Sequence, residues 1–262
     1  MNRALRKRAK RLRSKSGKSL SKMKGQDLQT VSNRMSAEQY TETLEFFENP
    51  PTDNAWELAV HLAEQLMLET ENLEKNQVPR FVPDHKMKEV DCCAGCAWCC
   101  HEPLQVSILD AVSVAQQIRQ TERVAEILAT LKSYNESLAP LGNSRESLKQ
   151  SFDPCPFLGP QNRCTVYEAR PVICRAFHST QVDTCESIVK NASSQRDVPM
   201  FTGLFGFRGL RLSGARKALK DLGLDDRPVV LARAVELLLE NFEETLEAWM
   251  EGEPVFDRAA VL

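Results

Sequence analysis

Residues 91–101 read D-C-C-A-G-C-A-W-C-C-H and hold five of the nine cysteines: Cys92, Cys93, Cys96, Cys99 and Cys100. Thiols needed only as small buried apolar groups would be scattered along the chain. Two-residue spacers instead let successive sulfurs turn back toward one point, which is what a metal–thiolate site requires. If the segment is helical, Cys93, Cys96 and Cys100 share one stripe and Cys92, Cys96 and Cys99 its neighbour. Gly95 allows a tight loop just as well.

The other four cysteines lie downstream, in D-P-C-P-F-L-G-P-Q-N-R-C-T-V-Y-E-A-R-P-V-I-C-R-A-F (residues 153–177) and just beyond it. Eight residues separate Cys155 from Cys164, nine separate Cys164 from Cys174, and ten separate Cys174 from Cys185. Such spacing suits an irregular wrap around a metal better than one helix. Pro154 and Pro156 keep the backbone extended around Cys155. Cys155-Pro156 also resembles the distant Cys-Pro ligand of ferredoxin-type sites.

Between and around these groups the pattern is helical. Ser36 with Gln39 reads as a capping box for a helix ending near Glu48, before Asn49-Pro50-Pro51. Asp53 is placed to cap a second helix with Trp56, Val60, Ala63 and Met67 on its apolar stripe. His61 on that helix reads as a core or boundary histidine. Residues 77–90, with Pro79 and Pro83, read as a loop. Ser107 with Asp110 opens a helix to about Gln120, and Thr121 caps another that Pro140 and Gly142 end. Residues 198–207 suggest a packed loop or short strands, followed by helices over 213–222 and 227–251. In the last, Val235, Leu238, Phe242, Leu246 and Trp249 form a core stripe. Glu236, Glu240, Glu243, Glu247 and Glu251 form an acidic one.

Charge is unevenly distributed. The net charge is −2, yet residues 1–26 carry eleven Lys or Arg and no acid, leaving 23 basic against 36 acidic residues in the remainder. This +11 segment reads as a disordered or transiently helical arm. It can meet RNA or another polyanion by displacing phosphate counterions, serve as a transit peptide, or dock on the protein's own acidic stripe. No apolar run is long enough to span a membrane, and no apolar region follows the basic start. The expected compartment is the cytoplasm, where thiols serve metals more often than disulfides.

Taken in order, Cys93-x-x-Cys96-x-x-Cys99-Cys100, then Cys155-Pro156-Phe157-Leu158, then Cys164-x-x-Tyr167-Glu168-x-Arg170-Pro171-x-x-Cys174-Arg175 resembles the CxxCxxCC family. These YkgJ-type cysteine-cluster proteins are described as zinc- or iron-chelating and include a flagellin lysine N-methylase branch. The resemblance covers about residues 92–190. It implies metal ligands at Cys93, Cys96, Cys99, Cys100, Cys155, Cys164 and Cys174, with Cys185 as a further member. Cys92 falls outside the pattern as a bystander. Seven or eight thiolates allow one zinc or iron–sulfur site with spare thiols, or two sites. Arg170 and Arg175 can offset thiolate charge and hydrogen-bond to sulfur. His101 and His178 are nearby donor candidates. Tyr167 and Glu168 can orient ligands, or simply pack and solvate.

The expected fold is mainly α, a small helical domain built around a cysteine-rich metal site with irregular loops. Its parts are a basic arm (1–26), N-terminal helices (27–90), the cysteine-cluster domain (91–190) and C-terminal helices packed on it (191–262). The expected function is metal binding. The alternatives are an iron–sulfur-dependent enzyme, such as a protein lysine N-methylase, and an RNA- or ribosome-associated module. No G-x-G-x-x-G loop or Ser-His-Asp arrangement is readable.

Overall fold

Helices dominate the fold, as expected. The computed structural model describes residues 3–20, 28–76, 84–193 and 195–262. The helices are α1 (Arg3–Leu20), α2 (Leu28–Glu48), α3 (Ala55–Asn76), α4 (Asp84–Met87), α5 (Ile108–Arg119), α6 (Val124–Leu138) and α7 (Arg145–Leu148). They continue with α8 (Val172–Ala176), α9 (Val182–Lys190), α10 (Thr202–Leu222), α11 (Leu231–Glu240) and α12 (Phe242–Met250). Two two-residue strands, β1 (Gln105–Val106) and β2 (Val229–Val230), pair antiparallel with Gln105 opposite Val230. One hydrophobic core draws on residues from Leu5 to Ala259, with Phe47, Phe157, Trp249 and Phe256 fully enclosed.

The N-terminal segment differs from the arm expected. Over Arg3–Leu20 it is helical, with Leu5 and Ala9 buried in the core and Leu12 packed against it. Four- and three-residue spacing puts these side chains on one stripe, and docking that stripe outweighs the repulsion of the flanking cations. Among the described residues the cations of α1 do not pair with the acidic stripe of the last helices. Arg13 pairs with Glu45 at 3.0 Å and Glu48 at 2.7 Å, and Arg6 pairs with Asp53. The acidic stripe is engaged elsewhere, Glu243 with Arg119 at 3.0 Å and Glu240 with Lys132 at 2.7 Å. Residues 1–2 and 21–26 of the expected arm lie outside the described residues.

Other boundaries also move. Ser36 lies inside α2, so no capping box operates there, and Gln39 is buried and accepts from Arg211 Nη1 at 2.7 Å. Asn54, not Asp53, caps α3: its Oδ1 accepts from the Trp56 amide at 3.1 Å and the Glu57 amide at 3.3 Å. His61 is exposed and faces Glu64 rather than the core. The 77–90 loop is described only from Asp84, where α4 forms. α10 begins at Thr202, through the glycines expected to mark a loop, because packing against α2 overrides their weak helix propensity. At that crossing Gly214 is required. A Cβ on it would stand 2.2 Å from the Ser36 carbonyl oxygen. The 227–251 helix is broken at Asn241 (φ −148°, ψ 70°) into α11 and α12, yet its core stripe is buried throughout.

The capping box of α5 forms as read: the Asp110 amide donates to Ser107 Oγ at 3.1 Å and the Ser107 amide to Asp110 Oδ2 at 3.1 Å. Packing of α5 between α3 and α11 gives the cysteine loops a rigid base. No helix among the described residues is long and apolar enough to cross a membrane.

Candidate metal centre

The first cysteine group is a loop closed by a 3-10 turn at Trp98–Cys100, not a helix. Gly95 supplies the bend with φ +89°, a left-handed conformation that favours glycine. The Cys96 amide donates to the Cys93 carbonyl at 3.1 Å, and the Cys100 amide to Ala97 at 2.8 Å. The second group comes to meet it: the Cys155 amide donates to the Cys100 carbonyl at 2.7 Å. Cys155 and Cys164 are carried on a narrow hairpin, in which Leu158 bridges Cys164 and the Thr165 amide donates to Phe157 at 2.9 Å. A Cβ on Gly159 would stand 2.6 Å from the Thr165 methyl and 3.2 Å from the Arg163 carbonyl oxygen, so any side chain there would crowd the hairpin.

Two carboxylates tie in the remaining cysteines. Asp110 Oδ1 accepts from the Val172 amide at 2.9 Å, fixing the start of α8 and thus Cys174. Asp91 Oδ2 accepts from the Val182 amide at 2.8 Å, and its own amide donates to Ser179 at 2.9 Å. These two bonds hold the first turn of α9 and its buried Cys185 beside the first loop. α9 also packs on the Trp98–Cys100 turn.

The thiols fall into two neighbourhoods that meet at Cys99. Cys92 feels the charges of Cys96, Cys99 and Cys185, while Cys174 feels those of Cys155 and Cys99. Cys155 in turn faces Cys164 and Cys99. Burial pushes Cys92, Cys96, Cys155, Cys164, Cys174 and Cys185 above the ordinary thiol value, Cys155 to about 12. Cys99 is pushed up first by its hydrogen bond with Cys100 and then by burial. Against this, backbone amides act on sulfur: Trp98 on Cys96, Phe157 on Cys155 and Val166 on Cys164, each two residues downstream. The Ser179 amide donates to Cys92 Sγ at 3.1 Å. Amide donors stabilise the charged thiolate over the thiol.

Residues 92–195 match the CxxCxxCC family, whose description reads "putative zinc- or iron-chelating domain". The chain carries a CxxCxxCC domain. Neither the curated proteins nor the solved structures gave a match.

Within the CxxCxxCC domain the structure brings together Cys96, Cys99, Cys100, Cys155, Cys164, Cys174 and Cys185, and adds Cys92, whose sulfur the Ser179 amide reaches. Cys93 is exposed, though close enough to act on Cys96. Among the described residues no three His, Cys, Asp or Glu side chains are closed on one point as they stand. The donor chemistry nonetheless fits a soft or borderline metal: neighbouring thiols, amide donors to sulfur, and a nearby guanidinium.

That guanidinium is Arg170. It lowers Cys99, Cys164 and Cys174 and makes no ion pair among the described residues. Arg175 acts on Cys164 more weakly than Arg170 does, and its hydrogen bonds go to backbone: Nε to the Arg170 carbonyl at 2.9 Å, Nη2 to Glu168 at 2.8 Å and to Tyr167 at 3.1 Å. Tyr167 is exposed. The histidine rings turn to local carbonyls, His101 Nδ1 to Ala97 at 3.1 Å and His178 Nδ1 to Ala176 at 3.2 Å. Sequence reading found Asp110 only as a cap and passed over Asp91. Each reaches across more than sixty residues, and nothing local to either signals its partner.

Proposed function

We propose that the CxxCxxCC domain holds its zinc or iron on thiolates drawn from both cysteine groups, with Cys92 among them and Cys93 outside. The observation that carries this reading is the meeting of the two cysteine groups, where the Cys155 amide donates to the Cys100 carbonyl at 2.7 Å, together with the Ser179 amide that donates to Cys92 Sγ at 3.1 Å. Such a donor has a purpose where sulfur is to be charged, because burial alone keeps these thiols neutral. Bound metal would supply the charge that makes deprotonation favourable. Arg170 offsets the surplus negative charge of several thiolates.

Metal analysis and an absorption spectrum after anaerobic purification test the proposal. Colour is expected for iron–sulfur chemistry, and a colourless protein with stoichiometric zinc for a structural centre. Cys96→Ser and Cys155→Ser should each lose metal, since a hydroxyl replaces a soft thiolate. Cys92→Ser should lose more than Cys93→Ser. The reverse order would return the ligand set to the C-x-x-C-x-x-C-C register.

A second reading concerns α1. Arg3, Lys7, Lys10, Arg11 and Lys15 are exposed on it and make no ion pair among the described residues. This face supports contact with RNA or another polyanion. Lys7→Glu with Lys10→Glu and Arg11→Glu tests it better than deletion, since deletion also removes Leu5 and Ala9 from the core. Binding to single-stranded RNA should fall and lose its salt dependence. Unchanged binding at 50 and at 200 mM salt (roughly the range over which phosphate contacts weaken) would remove α1 as the contact.

An iron–sulfur-dependent enzyme remains the rival reading of the metal centre itself. It is supported by a chamber that opens beside the cysteines, lined by Cys99, Cys100, Cys174 and Cys185.

A further inference from the structure

That chamber has a volume of about 650 Å³, within the range of small-molecule sites. It lies between the cysteine loops, α8, α9 and α10. Its walls are largely apolar: Ile173 and Phe177 on one side, Ile188 and Val189 of α9 on another, with Val198 and Leu212 opposite in sequence. Ile173, Phe177, Ile188 and Leu212 are only half-buried, so these side chains line an open space instead of filling one another.

Charge around the chamber is one-sided. Five cations line it, Arg145, Lys149, Arg170, Arg196 and Arg216, against two carboxylates, Glu102 and Asp110. Asp110 already accepts from Ser107 and Val172, and Glu102 pairs with Arg196 at 3.4 Å. Arg216 is held by the Asp226 carbonyl at 2.7 Å. Arg145, Lys149 and Arg170 make no ion pair among the described residues. A half-buried guanidinium beside an apolar wall suits an anionic head such as a carboxylate attached to an apolar body, because such a ligand satisfies both surfaces.

We propose that the chamber is a binding site for a small organic carboxylate with an apolar body, its charged head toward Arg170 and its body along α9. The site abuts four cysteines, so this deepens the reading of the metal centre, on which it rests for its position only. Carboxylate recognition itself needs no metal. The volume of about 650 Å³ suits a small molecule better than a protein segment.

Equilibrium dialysis of the full-length protein as purified, with radiolabelled decanoate and, separately, decanol, tests it. Saturable one-site binding is expected, with decanoate held at least about tenfold more tightly than decanol. Arg170→Gln should abolish that preference while leaving decanol affinity unchanged. The paired variant Arg145→Gln with Lys149→Gln, on a half-exposed turn, should weaken decanoate alone. Val198→Phe should reduce binding of both ligands by filling the chamber, and melting curves of each variant establish that it is folded. Absence of saturable binding overturns the proposal. So does equal affinity for the two ligands, or binding that Val198→Phe and Arg170→Gln both leave untouched. Metal content measured on the same samples separates the two readings. Metal without decanoate binding sinks only the chamber, whereas decanoate binding by metal-free protein sinks only the thiolate centre.

Discussion

Replacing Asp110 with asparagine probes the link between the helical base and the second cysteine group. Asp110 is 4% exposed, and both its oxygens accept: Oδ2 from Ser107 Oγ at 2.6 Å and the Ser107 amide at 3.1 Å, Oδ1 from the Val172 amide at 2.9 Å. Asparagine keeps the shape but turns one acceptor into an NH₂ donor. Either Val172 or Ser107 then faces a donor with its own donor, whichever way the amide is oriented. Burial pushes the carboxyl above its ordinary range, and the hydrogen bonds from Ser107 and Val172 act against that shift. Leaving one buried amide without an acceptor costs about 1–3 kcal/mol. For a chain of this length that lowers the melting temperature by roughly 2–12 °C. α8 would lose the anchor of its first turn, so metal occupancy should fall with stability. Thermal unfolding in reducing buffer, paired with metal analysis, measures both. Asp110→Asn with an unchanged melting temperature and full metal would refute the claim that this carboxylate holds Cys174 in place.

Four further outcomes are expected. Deleting residues 1–26 removes Leu5 and Ala9 from the core and should cost about 2 kcal/mol or more for Leu5 alone; an unchanged melting curve would show that α1 does not dock. Gly214→Ala places a methyl against the Ser36 carbonyl, so α2 and α10 must part at about 1–3 kcal/mol, read as a lower midpoint in denaturant. Thiols raised by burial are protonated at pH 7, so zinc uptake in weakly buffered solution should expel about four protons per ion at a four-thiolate site, and release of fewer than one would contradict thiolate binding. In metal-free protein the same raised values stabilise the fold below the ordinary thiol value of 9.0, and that stability should fall as pH rises from 9 toward 12, where Cys155 ionises.

Features with a local cause could be read from the chain itself. The α5 capping box follows from Ser107 and Asp110 three residues apart, and the stripe Val235–Leu238–Phe242–Leu246–Trp249 follows from spacing, even across the break at Asn241. The stretch from Cys93 to Cys174 carried the family likeness because its cysteines and prolines fall in three ordered motifs. What failed had tertiary causes. The helix through Gly206 and Gly209 exists because α2 packs beside it, and α1 is ordered by three apolar residues that join the core as it packs chiefly on α2. Nor does anything local signal the amide that reaches the Cys92 sulfur, which comes from Ser179, eighty-seven residues away.

The joining of Cys155 to Cys100, and of α8 to both Asp110 and α10, has a consequence for biosynthesis. Five thiols emerge from the ribosome with residues 92–100, yet the helix that backs α8 ends at Leu222. At ordinary elongation rates the interval is roughly ten seconds, during which those sulfurs lack the finished fold that brings the second cysteine group against them. A nascent chain in this condition is open to oxidation and to mismatched disulfides. Expression in an oxidising compartment should therefore trap covalently scrambled chains before the metal can be enclosed, and the yield of metal-loaded protein should follow the reducing power available during synthesis more closely than the metal supplied afterwards.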